Sequence, residues 1–167
     1  MNNANSRESG RSRVTAGALL VITVAGCGGP DPSGPPELRL GRDECCACKM
    51  SIVDQRCAAG ALVDGQDGVR HVVFDDMRCL LLYQRANGDV RFIGRWAQDY
   101  RLKVWIEVSH ARFLTGTTVR TAMGSGIIAV DPDGDEAADT LEFGGKSVTW
   151  DGLQSWQMSD GGASNPG

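Results

Sequence analysis

Residues 43–50 read Asp-Glu-Cys-Cys-Ala-Cys-Lys-Met, three thiols and a thioether within six residues. Thiolates and thioethers are soft ligands that select Cu(I), zinc or iron–sulfur clusters over hard cations. Cys45 and Cys48 stand in C-x-x-C spacing, which lets them share one metal or close a disulfide. Met50 tilts the choice, because a redox dithiol or a structural zinc knuckle has no use for a nearby thioether and Cu(I) does. The plainer readings are a gap-filling core methionine and inert buried thiols.

Few other residues offer chemistry. Asp75 and Asp76 read first as helix caps, since carboxylate is a hard donor for Cu(I), and second as ligands or acceptors around the site. Cys79, beside Leu80 and Leu82, reads as core rather than ligand. The only histidines, His71 and His110, read as structural or exposed. No Ser–His–Asp order, P-loop or H-E-x-x-H is present, and Gly124-Ser125-Gly126 is not the G-x-S-x-G of a nucleophile elbow. The chain does not read as an enzyme.

The N-terminus places this chemistry outside the cytoplasm. Arg7, Arg11 and Arg13 precede an apolar run over 14–26, too short for a permanent span and patterned as a secretory signal. The run ends Val24-Ala25-Gly26-Cys27, which resembles a bacterial lipobox and implies cleavage before Cys27 with a diacylglycerol on its sulfur. At about 0.8 kcal/mol per buried methylene, several acyl chains would hold the protein on a membrane. Residues 28–36, rich in Gly, Pro and Ser, extend this into a flexible tether over 27–41. The expected location is the periplasmic side of a bacterial membrane, the outer membrane in a Gram-negative cell.

About 140 residues remain after the signal, enough for one ordinary domain. Setting aside Arg7, Glu8, Arg11 and Arg13 leaves 14 of the 17 basic and 20 of the 21 acidic residues. An acidic surface without a basic stripe makes nucleic acid an unsuitable partner and suits a basic protein face. Besides Cys27 there are five cysteines, so one thiol stays free, metal-bound or bridged to another molecule. Bound metal protects such a thiol in an oxidising compartment.

The elements that must position these groups read as α+β. Strands are expected over 57–63 and 69–74 around a glycine turn, then a helix over about 76–85 capped by Asp75 and ended by Asn87-Gly88. A further strand over 90–93, a connection over 96–100 and a strand over 103–108 follow. Residues 109–114 read as a turn or short helix. Then come a glycine-rich approach to a strand near 127–130, an acidic loop over 131–139, strands over 141–143 and 147–150, and a helix over 152–158. Two similar strand–strand–helix units, 42–98 and 99–158, share a core, with 159–167 as a frayed tail. Aligning Met50 with Met123, and the ends of the 69–74 and 147–150 strands, makes Met123 the counterpart of Met50. Met123 then either closes the metal site or fills the core.

Four stretches together resemble the NosL family, the accessory lipoproteins of nitrous oxide reductase assembly. They are Cys45-x-x-Cys48-x-Met50, Phe74-Asp75-Asp76-Met77-Arg78-Cys79-Leu80 running to Tyr83, Asp99-Tyr100 with Trp105-Ile106, and Thr121-Ala122-Met123-Gly124-Ser125-Gly126-Ile127. The resemblance runs from about Asp43 to Leu153. It implies a two-part α+β fold, Cu(I) as cargo, and delivery through a membrane transporter complex to the reductase's copper centres. Two positions depart from the family. Lys49 stands where glycine is usual, a place where positive φ would be expected; Ala122 replaces a proline before Met123.

The ligand set that follows is Cys45, Cys48, Met50 and Met123, with Asp75 a further candidate and Cys27 the lipidation site. The leading expectation is a tethered Cu(I) carrier working by ligand exchange. An exported thiol–disulfide oxidoreductase using Cys45 and Cys48 is the alternative, and a structural zinc module a third reading.

Overall fold

A computed structural model describes residues 33–159. The expected signal, Cys27 and the tail from 160 onward lie outside the described residues. Two antiparallel sheets and three helices make up the α+β fold. The first sheet contains β1 (Ala59–Gly65), β2 (Gly68–Phe74), β3 (Arg91–Gln98) and β4 (Trp105–Glu107), in the order β2-β1-β3-β4. Helix α1 (Met77–Ala86) connects β2 to β3. The second sheet has β5 (Arg112–Thr115) between β6 (Ile128–Val130) and β7 (Lys146–Val148). Helix α2 (Glu136–Phe143) joins β6 to β7, and α3 (Trp150–Ser159) closes the chain. Among the described residues no helix is long and apolar enough to cross a membrane.

Both units begin strand–strand–helix, yet they correspond differently from the alignment expected. Each has a central strand paired with its successor, a helix, and a third strand returning antiparallel to the other side of the central one: β1-β2-α1-β3 and β5-β6-α2-β7. In this correspondence Met50 precedes the first unit, whereas Met123 lies in the β5–β6 connection. The two methionines are therefore not counterparts. The expected alignment misled because it matched the entry to α1 with the entry to α3 instead of α2.

Several element boundaries move for local reasons. β3 runs through the expected connection, since Trp96 and Ala97 pair with Gly60 and Ala59. β4 starts only at Trp105 because Lys103 has φ 56° and Asp99 Oδ1 accepts from Arg101 N and Leu102 N in a tight turn. Pairing of β4 with β3 also carries the first sheet past residue 98. β5 replaces the expected turn, with Phe113, Leu114 and Thr115 buried in mid-sheet. α2 replaces part of the acidic loop and a strand: Asp135 accepts from Ala137 N and Ala138 N, and Glu136 and Asp139 favour the positive end of the helix dipole.

The expected tether is docked from residue 33 onward. Pro36 is buried on the first sheet over Gly60, where a Cβ would stand 2.3 Å from the proline ring, and Gly34 O meets His71 Nε2 at 2.9 Å. One apolar core joins the units, taking Phe74, Met77 and Leu80 from the first and Phe113, Ile127 and Leu153 from the second. Tyr100 N donates to Ala129 O across the junction. A smaller cluster buries Cys57 with Leu114, Ile128, Val130 and Phe143.

Candidate metal centre

The cysteine motif is a short hairpin laid against the first sheet. Glu44 bridges Ser51, Cys45 N donates to Met50 O at 2.8 Å, and Lys49 N donates to Cys45 O at 2.9 Å. Cys46 N donates to Val73 O at 2.8 Å, which fixes the hairpin to the end of β2. Closing this turn puts Lys49 at φ 66°, the conformation expected from the family's glycine. A side chain there costs about 1–2 kcal/mol.

β2 ends at Phe74 and α1 begins at Met77, so Asp75 and Asp76 occupy the strand-to-helix corner. Both are buried, and they do different work. Asp76, rather than Asp75, caps α1: its Oδ1 accepts from Arg78 N at 2.8 Å. The same carboxylate accepts from Ser125 Oγ at 2.7 Å and Met123 N at 3.0 Å. It thereby holds the 121–127 loop of the second unit against the first. Gly126, at φ 60°, lets that loop turn where a Cβ would lie 3.0 Å from Thr117 O.

Asp75 faces the thiols. Cys48 Sγ donates to Asp75 Oδ2 at 3.4 Å, while Asp75 Oδ1 is buried without a hydrogen-bond partner among the described residues. Ligand atoms of Cys45, Cys48, Asp75 and Cys79 all lie within 4.8 Å of one another. Metal–thiolate bonds near 2.3 Å, as in zinc sites, keep two ligands of one ion within about 4.6 Å, so small rotations would close this group on an ion. A buried carboxylate oxygen without a donor costs free energy that a cation would recover.

The thiols are unequal. A hydrogen bond from Cys79 lowers the Cys45 pKa to about 6, against the opposing effect of burial. Cys79 is raised, first by that bond to Cys45 and then by burial. Burial also raises Cys48. The Cys45–Cys79 pair therefore releases one proton early and holds the second, leaving a thiolate inside the cluster. Cys57 stands apart, its pKa pushed up to about 12 mainly by burial.

Of the residues expected to bind metal, Cys45, Cys48 and Asp75 come together. Met123 is partly buried and lines a cavity of about 400 Å³ with Cys46, Cys48 and Cys79. Met50 is 51 % exposed and does not line that cavity. Cys79, read as core, joins the cluster. Its apolar neighbours concealed it; the sequence signal was its place in the first turn of a helix, four residues after Asp75, where its side chain shares that residue's surroundings.

The crystal structure of the copper chaperone NosL from Shewanella denitrificans matches with a TM-score of 0.55 at 22 % identity, covering 70 % of this chain and 96 % of that one. At that identity the likeness concerns the fold. No curated protein matches the sequence. The NosL family model matches residues 39–157, a segment containing both units, the cysteine hairpin and the 121–127 loop, and on that match the chain belongs to the NosL family.

Proposed function

We propose that this protein is a Cu(I) carrier rather than an enzyme, anchored through a lipid on Cys27 at the periplasmic face of a membrane. Its cargo would pass, by way of a membrane transporter complex, to the copper centres of nitrous oxide reductase. The observation that carries the reading is the group of three thiols, two of them buried, gathered around the buried Asp75 carboxylate. Family membership and the copper chaperone from S. denitrificans support it. Three thiolates supply soft donors for a two- or three-coordinate monovalent ion, with Asp75 beside them as a hydrogen-bond acceptor that orients Cys48. Copper then leaves when a receiving protein's soft donor enters before a carrier ligand departs.

One observation favours a second reading. Three thiolates and a carboxylate also make four donors, the number a closed zinc site uses. Metal analysis of reduced protein, followed by competition with a chromophoric Cu(I) chelator, separates the two: a carrier takes up one Cu(I) and stays folded when stripped, whereas a zinc module keeps zinc and unfolds without it. The dithiol oxidoreductase is disfavoured by Cys45, which at 0 % exposure offers no approach to a client disulfide. Absence of stoichiometric Cu(I) uptake would end the carrier reading. Cys27→Ser, expected to move the protein from the membrane to the soluble fraction, tests the anchor.

A further inference from the structure

Cys46 is a thiol that the four-donor group does not use. Within the donor group Cys45 and Cys79 are buried while Cys48 is half-buried, and Cys48 and Cys79 line the cavity. Cys46 and Met123 are half-buried and line the same cavity from outside the donor group. The placement of Cys46 is built into the fold. Its backbone is held by Val73 O, and its thiol lies beside the hydroxyl of Tyr83, whose ring packs on Phe74 and Phe92. Four sulfurs thus line one apolar space, two belonging to the four-donor group and two not.

Resting on the copper-carrier reading, we propose that Cys46, with Met123, forms an outer exchange station through which Cu(I) passes between the four-donor group and a receiving protein. A fully buried thiolate cannot meet an incoming ligand directly. An ion bound at the cavity wall can. In the step, a Cu–Sγ bond to Cys46 forms as the bond to Cys45 breaks, the proton lost by the Cys46 thiol passes to the departing Cys45 thiolate, and copper remains monovalent. Met123 supplies a neutral thioether that steadies the ion without demanding deprotonation.

The test loads the full, reduced chain with one equivalent of Cu(I) and follows anaerobic transfer to bicinchoninate by stopped-flow absorbance. Cys46→Ala and Cys46→Ser are expected to slow transfer about tenfold or more while equilibrium affinity stays within about threefold, because an exchange ligand sets rate rather than retention. Cys46→Met, which keeps a soft donor, should restore most of the rate. Unchanged circular dichroism and urea midpoint confirm that the variants fold. Transfer by Cys46→Ala at the wild-type rate would overturn the proposal, as would a loss of affinity equal to that of Cys48→Ser, which would make Cys46 a holding ligand. Cys46→Met as slow as Cys46→Ser would reduce the thiol to packing. Failure of the wild type to take up copper would instead remove the carrier reading, and this proposal with it.

Discussion

The two units share one connectivity and handle buried polarity in opposite ways. In the second, the first turn of α2 directs Asp139 inward, where Arg101 and Arg112 neutralise it and Arg101 also lies over the Phe143 ring. In the first, the strand-to-helix corner and first turn of α1 bury Asp75 and Cys79, and Asp75 forms no ion pair among the described residues. The protein supplies its own counter-charges to the second unit. It leaves the first without a counter-charge of its own, and that deficit is what a metal ion would fill. A balanced cluster stabilises; an unbalanced one binds.

Breaking the balanced cluster should have the largest effect. Asp139→Ala strands Arg112, whose side chain is only 12 % exposed, and is expected to cost about 3 kcal/mol in urea denaturation while leaving copper stoichiometry intact. Breaking the unbalanced cluster should do the reverse. Cys48→Ser or Cys79→Ser should weaken Cu(I) retention about 100-fold in chelator competition, with little loss of apo stability. A Cys79→Ser variant that retains copper like the wild type would return Cys79 to the core role read from sequence.

Asp76 joins the halves, so Asp76→Ala should do some of both. Loss of the cap and of the bonds to Ser125 and Met123 should cost about 2 kcal/mol, and the freed loop should weaken copper retention. Lys49→Gly removes the strained side chain and should raise stability by about 0.5–1 kcal/mol, read as a shift in urea midpoint.

Cys57 sharpens the contrast through pH. It is the thiol of the second unit's core, and its folded pKa of about 12 stands above the ordinary 9.0. The neutral thiol favours folding fully below pH 9, and that contribution is lost as pH rises toward 12. Cys57→Val should flatten the fall of stability above pH 9. In native protein at pH 8, alkylation should reach Cys46 and Cys48 well before Cys57, which mass mapping would check.

Much of the site was legible because its signals are local. The C-x-x-C-x-Met run and the acidic pair before an apolar helical face each depend on neighbours a few residues away, while the glycine-type position at Lys49 came from the family resemblance. The α+β class and the strand–strand–helix start of the first unit followed from the same short-range patterns. α2 was hidden because Pro132, Gly134 and the five acids of 131–139 imitate a loop until Asp135 is recognised as a cap. The correspondence of the units was hidden too, since strand order is a long-range fact.

The sequence by itself determined which donors this protein owns, that they are soft, and that the corner at Asp75–Asp76 would end a strand and start a helix. Tertiary structure alone decided where each donor points. Docking of the hairpin on Val73 puts Cys45 inside and Cys46 on the cavity wall and leaves Met50 exposed, while the first turn of α1 carries Cys79 to the other thiols. The reason is geometric: residue type sets the strength of a possible bond, but side-chain direction depends on register against elements tens of residues away.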